Sequence, residues 1–484
     1  MRTSLLLLAL ATQAPAGPGN PHRPILDVSA LKPAPAIVPT GEEIHHDLKG
    51  DAIRKDLEAI VGFSIADRAR GEKAWGRITG FRGADETHAW VLQQFKAAGL
   101  RDSDTQTYAA TQATWYPKSW SVKISTGPDA PIVGLESAFP TSGSQLAQGS
   151  LYAPLVFVGA TTDAALPDID VKGKVAVQTL HPAAGAYSER TRTTERAREL
   201  AKRGAVAVLN VIEQAGNMHV RDFSNCGVPC FNLGTDDGRF LTSVLDRAKA
   251  SQHQATVGIS LDTAMLDGLK GHNTIGTVRG RNDSEIVIVN AHADGWFDAA
   301  GDNGDGLAVL IALARHFSKP ANQPERTLLF VASGGHHGGG MNGPGNLVTM
   351  NPQLKGKTVL VLNLEHIAQL RFQNDPFRVE ATEQPMGFGI SNEAPAIADV
   401  AKRGMQRYGF NLRPNFSSSI AGDLGGYAPL DVPRVQAIHS GPMYHTSGDT
   451  LDTISTPGLE RAARFYAFFI NEIAKTDRQA LKPQ

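Results

Sequence analysis

The stretch Glu285-Ile286-Val287-Ile288-Val289-Asn290, followed at once by Ala291-His292-Ala293-Asp294, decides how the rest of the chain is read. A short, nearly continuous apolar run that ends in a polar cluster suits a strand covered on both faces. Working outward, a loop and a helix over Leu307 to Phe317 follow it. The apolar strands Thr327 to Ala332, Thr358 to Leu364 and Arg434 to His439 come next. The closing helix, Pro457 to Ala474, carries Leu459, Ala463, Tyr466 and Ile470 on one stripe. This alternation predicts an α/β fold with a mixed, mostly parallel sheet covered by helices.

Upstream the texture changes. Residues 42–100 read as helical, most clearly Asp85 to Leu100, where Val91, Phe95 and Ala98 recur at helical spacing and Gly99 suits a C-terminal cap. From about residue 145 to 259, short β-rich runs such as Leu155-Val156-Phe157-Val158 and Lys174-Val175-Ala176-Val177 alternate with turns and a helix near Thr194 to Lys202. That pattern predicts a small inserted α/β domain over 145–259, flanked by the two parts of a main domain at 41–144 and 260–484. Residues 17–40, rich in Pro and Ala, read as a linker. Arg2, the apolar run Leu5 to Ala11 and the small-x-small sequence Ala14-Pro15-Ala16 have the form of a signal peptide over 1–16, with a secreted or periplasmic destination.

With 484 residues, 41% of them hydrophobic and 20% charged, the chain is expected to form more than one globular domain. A formal net charge of −1 argues against nucleic acid as a partner. No segment after the N-terminus is long and apolar enough for a membrane span. The two cysteines, Cys226 and Cys230, exclude a disulfide framework and leave open one small loop bridge or two buried thiols. The oligomeric state stays open.

Ligands of open α/β sheets bind outside the carboxyl ends of the strands. Here those ends carry His292-Ala293-Asp294, then Ser333-Gly334-Gly335-His336-His337-Gly338, then Asn363-Leu364-Glu365-His366, and finally Tyr444-His445-Thr446 after the late strand. Gly301-Asp302-Asn303-Gly304 leads into the first helix. Singly, each has a structural reading; Asp302, for example, suits a helix cap. Together, imidazoles and carboxylates at successive strand ends predict a site for zinc or a similar divalent ion.

The order His292-x-Asp294, Gly301-Asp302-Asn303, Asn363-Leu364-Glu365 and Tyr444-His445-Thr446-x-x-Asp449-Thr450 resembles the zinc aminopeptidases of the M28 peptidase family, from about Gly276 to Ile470. Gly76-Arg77-Ile78-Thr79-Gly80 resembles that family too, and the 145–259 unit looks like its inserted protease-associated domain. The resemblance implies one or two zinc ions, a peptide or related amide substrate, and hydrolysis by water activated at the metal. It implies metal-ligand roles for His292, Asp302, His337, Glu365 and His445, with Asp302 shared between ions. Asp294 matches the carboxylate that orients the first histidine. His316 and His439 match nothing and read as structural.

The chain departs from the family pattern at the second strand end. Where the family has two adjacent glutamates, a general base and a ligand, this sequence has His336 and His337. His337 is expected to ligate and His336 to stand at the catalytic base's place. Two alternatives follow: a homologue with weakened or absent catalysis that serves as a binding protein, and a single-zinc acyl-transfer or cyclising enzyme, suggested by fold analogy with glutaminyl cyclases.

Overall fold

A computed structural model describes the chain except for residues 1–25, 28–34, 42, 126–130, 162–164, 182–186, 215, 222–225, 375–378, 383–385, 391–393, 411, 417–421, 439–440, 442 and 483–484. The signal segment and His439 lie outside the described residues. The main sheet has eight strands: β1 (Arg101–Ala109), β2 (Lys270–Val278), β3 (Asn282–His292), β4 (Arg326–Ser333), β5 (Thr358–Leu364), β6 (Met386–Ile390), β7 (Leu412–Phe416) and β8 (Arg434–Ile438). Their spatial order is β7-β6-β8-β5-β3-β4-β2-β1. The four central strands β8, β5, β3 and β4 are mutually parallel, and antiparallel pairings flank them on both sides. The expected mixed, mostly parallel sheet is what the chain forms.

Strand alternation sorts the side chains into two layers. Val287, Val289 and Ala291 of β3 face a large core built with α1 (Gly50–Ala69), α2 (Arg82–Ala97), α3 (Asp305–Phe317), α5 (Pro395–Tyr408) and α6 (Thr456–Lys475). Ile288 faces the other side, with Leu347 of α4 (Gly343–Met350) and with Leu424 and Tyr427 from the 3-10 segment Gly422–Leu430. Helix α3, whose sequence Leu307 to Ala314 is wholly apolar, is buried on all sides between sheet and helices.

A second eight-stranded sheet draws on Thr114–Ser125, Val133–Gly134, Phe139–Pro140, Ser150–Ala160, Val175–Leu180, Ala207–Ile212, Cys230–Leu233 and Thr256–Leu266. By strand pairing this unit spans 114–266, wider than 145–259 on both sides, because Thr114–Ser125 pairs along its length with Thr256–Leu266. Composition alone does not show which of two sheets an early strand joins. Within the expected linker, Leu26–Asp27 pairs with Val379–Glu380. Cys226 and Cys230 form a disulfide. Among the described residues no helix is long and apolar enough to cross a membrane.

Arg77 ties the N-terminal part of the main domain to the site. It is fully buried. Its guanidinium donates to Ala293 O, Asp298 O and Ala299 O at 3.0 Å each and to Ser64 Oγ at 2.9 Å. It therefore holds the 293–299 loop that joins His292 to Asp302. Arg77→Met should leave the Ala293 and Asp298 carbonyls without this donor and Ala299 O with only the Gly304 N–H, a loss of roughly 2 kcal/mol or more. A fall of several degrees in melting temperature, with reduced metal content, is the expected outcome; an unchanged melt would mean that the loop keeps its shape unaided.

Candidate metal centre

Parallel pairing sets the strand ends level. His292 lies opposite Ser333, and Asn290 opposite Asn363. The segments that leave these ends therefore start side by side at one edge of the sheet. The 301–305 turn is stitched to the end of β5: Asn303 Nδ2 donates to Leu364 O at 2.9 Å, and Ala368 N donates to Asp305 at 2.7 Å. Asp449 fixes the other side, accepting the N–H groups of Gly301 and Asp302 at 2.8 Å each. Burial, then the nearby Asp302 charge, push the Asp449 carboxyl up to about 6.

Asp302 is the centre of the cluster. Its Oδ1 lies 3.4 Å from His292 Nε2, 3.2 Å from His337 Nε2 and 3.0 Å from His366 Nε2, and its Oδ2 lies 3.3 Å from His445 Nε2. Glu365 stands beside His336, with 3.8 Å between Oε1 and Nε2. All seven of these residues are buried or nearly so. The sequence-predicted His292, Asp302, His336, His337, Glu365 and His445 thus come together. Asp294 sits one step outside: its carbonyl accepts from His292 Nδ1 at 3.0 Å, while its carboxylate accepts the backbone N–H of His337 at 2.9 Å and, more loosely, that of His336 at 3.4 Å. It ties the histidine pair to His292, which is a wider role than orienting one ring. His316 pairs with Asp47 at 2.8 Å, far along α3 from the cluster, and is structural as expected.

Two participants have no assigned role in the sequence reading. His366 follows Glu365 directly; its adjacency to a candidate ligand was the available signal. Asp423, which accepts from His336 Nδ1 at 2.9 Å, lies in the segment Gly422–Leu430, where no strand or motif marks it. Gly422, with φ of +80°, lets that segment pass over Glu365; an added Cβ would come within 2.5 Å of Glu365 Oε2.

The second unit also reaches the centre. Val220 bridges Thr446 in antiparallel fashion, Arg221 N donates to His445 O at 2.9 Å, and Ser447 Oγ accepts from His219 N at 3.0 Å. This short pairing braces the loop that carries His445. Arg221 then stacks 4.3 Å over Trp296, whose ring lies against both His337 and His445. Positive φ angles at Phe297, Ala299, His366 and His445 cluster around the site, each a conformation that surrounding contacts must enforce.

Electrostatics follow from one buried carboxylate among imidazoles. Burial works against the Asp302 charge, but His337, His366 and His292 outweigh it and hold the carboxyl well below its ordinary range. Burial pushes His337 down to about 4, whereas for His366 the Asp302 charge overcomes burial and raises the ring to about 9. The donor chemistry suits a borderline divalent ion such as zinc: five imidazoles and two carboxylates, with the ligand atoms of His292, Asp302, His336 and His337 all within 4.8 Å of one another. The buried Nε2 of His292 has no hydrogen bond of normal geometry, as an atom awaiting a cation would.

Residues 273–470 match the sequence profile described as Peptidase family M28. That segment is a peptidase M28 domain. The fold agrees over nearly the whole chain. A peptidase M28 precursor from Shewanella amazonensis SB2B superposes with a TM-score of 0.70 at 18% identity, covering 92% of this chain and 97% of that one. BSAP, a zinc aminopeptidase from Bacillus subtilis, superposes with a TM-score of 0.61 at 17% identity, covering 90% and 98%. At such identities the likeness is one of fold. A probable glutamate carboxypeptidase from Arthroderma benhamiae is 29% identical over 97 residues, a stretch spanning 19% of this chain and 13% of that relative.

Metal ligation requires unprotonated imidazole. In the metal-free protein His366 holds its proton up to about pH 9, so metal uptake at pH 7 should release protons. Affinity should weaken as pH falls below 9, by about tenfold per unit for each proton displaced. Calorimetric titration in buffers of differing ionisation enthalpy reads this directly; uptake without proton release would remove His366 from the ligand set.

Proposed function

We propose that the chain is an exported, zinc-dependent hydrolase of the aminopeptidase type that cuts peptide or related amide bonds. One observation carries this reading: imidazoles from successive segments of an M28 domain converge on the Asp302 carboxylate, with Glu365 beside His336. When bound, zinc supplies Lewis acidity toward a carbonyl and acidifies water. The chain's own part is to hold the donors. Asp294 fixes the backbone of His336 and His337, Asp449 fixes that of Gly301 and Asp302, and Trp296 packs against the rings of His337 and His445. We read residues 114–266 as a protease-associated-type insert that braces the His445 loop. Chelator-stripped protein reloaded with zinc, cobalt or manganese should hydrolyse aminoacyl amides with a free amino group in preference to N-blocked peptides. Fully loaded protein that cleaves neither would remove the hydrolase reading.

A second reading, a metal-binding homologue with weak hydrolysis, is favoured by a specific feature. Among the described residues, every carboxylate beside the cluster is already engaged. Asp302 and Glu365 face the imidazoles, Asp294 holds backbone N–H groups, Asp449 holds the 301–302 turn and Asp423 holds His336. Among the described residues, none of these carboxylates is left free to serve as a general base. His336→Glu combined with Asp423→Asn, which avoids placing two buried carboxylates side by side, should raise hydrolysis per bound metal by about tenfold or more. An unchanged rate at equal metal content would show that a missing base is not what limits turnover.

Export rests on the N-terminal pattern, and the Cys226–Cys230 bridge suits an oxidising compartment. N-terminal sequencing of protein recovered from the envelope or medium should begin at or near Gly17; an intact Met1 there would contradict export by cleavage.

A further inference from the structure

His336 stands where the family resemblance puts a general base, but its surroundings are those of a ligand. We infer that His336 binds the metal through Nε2, and that Asp423 is the positioning residue that holds its ring for this. The inference rests on the metal-site reading above and adds a donor to it.

The argument starts at Asp423. Its Oδ2 accepts from Ser333 Oγ at 2.8 Å and from Asn290 Nδ2 at 2.9 Å, and its Oδ1 lies 2.9 Å from His336 Nδ1. A carboxylate only accepts, so the proton of this bond sits on Nδ1 and the lone pair of the neutral ring sits on Nε2. The carboxylate cannot easily turn away. Asn290 also donates to Asn363 at 2.7 Å and accepts from Tyr427 at 2.9 Å, and Asn363 in turn donates to Glu365 at 2.7 Å and to Gln436 at 3.0 Å. One buried polar ladder, running across β4, β3, β5 and β8, therefore sets both Glu365 and His336.

His292 shows the same arrangement. Its Nδ1 bonds outward to the Asp294 carbonyl, and its ring lies parallel to that of His336, with 3.9 Å between centroids and 8° between planes. A ring nitrogen of each belongs to one cluster with Asp302 and His337. The 3.8 Å from His336 Nε2 to Glu365 Oε1 is too long for a hydrogen bond. It is within the ~4 Å that two ligands of one zinc ion can span with bonds of about 2.0 Å. An imidazole backed by a carboxylate on its far nitrogen is the usual form of a metal-bound histidine. The centre is thus richer in imidazole, and poorer in negative charge, than one with two glutamates at 336 and 337. That composition favours zinc, cobalt, nickel or copper over magnesium and manganese.

The test uses the full chain, stripped and titrated with cobalt(II), read by visible absorption and by metal analysis. Wild type should bind cobalt with d–d bands, and His336→Ala should lose affinity by roughly a hundredfold or more with altered bands. Asp423→Asn should lose affinity about 10–100-fold, with near-UV circular dichroism unchanged. Folded His336→Ala with wild-type affinity and bands would overturn the proposal. Should that variant not fold, Asp423→Asn decides: unaltered affinity and bands would equally overturn it. Wild-type protein that takes up no cobalt or zinc would instead sink the metal reading itself, so the two failures are distinguishable.

Discussion

Asp302 places a carboxylate in the interior, and four imidazoles from four different segments turn their Nε2 atoms toward it at 3.0–3.4 Å. A buried charge of this kind is tolerated only if it is paired. In the metal-free protein the pairing comes from protonated rings, which is why His366 is driven up to about 9 against the effect of burial. A divalent cation is the other way to meet the same demand, and it satisfies the neutral rings as well. The loops after β3, β4 and β5 and the loop carrying His445 are all shaped to deliver a ring or a carboxylate to this one place.

That delivery depends on groups that never touch the centre. Arg77 closes the 293–299 loop from beneath, Asp449 cradles the backbone of Gly301 and Asp302, and Asn303 sews the turn to the end of β5. On the opposite face of the sheet the ladder through Asn290, Asn363 and Asp423 plays the same part for Glu365 and His336. Such a fully bonded polar network in a low-dielectric interior is stiff, and a stiff surround is what metal geometry requires. The second unit adds a brace of its own through residues 219–221 on the His445 loop. Left-handed backbone at His366 and His445 shows that two of the rings are held in place by their surroundings rather than by local preference.

The histidine pair changes the charge balance of the site. An M28 domain with two glutamates at this strand end would bring two more negative charges to the metal and one free proton acceptor. Here imidazoles stand there instead, one against Asp302 and one backed by Asp423. Holding a metal and turning over a substrate become separable properties in such a centre, because metal donors are retained while the free carboxylate acceptor is not.

Much of this was legible in the sequence. The run Glu285 to Asn290 and its fellow strands showed their apolar, doubly covered character directly, since burial on both faces needs only local composition. His292, Asp302, Glu365, His336, His337 and His445 could be found because ligands cluster where parallel strands end, and chain order shows where each strand ends. Three things were decided only in three dimensions. His366 joins the cluster because of a positive φ that its sequence context does not announce. Asp423 reaches His336 across 87 residues, and that partnership exists only through the packing of Gly422–Leu430 on the sheet. The extent of the second unit, 114–266, follows from which strands pair, and pairing is a long-range choice that one strand's composition does not encode. Residue types determined what chemistry the chain can do; tertiary packing decided which of them face one another.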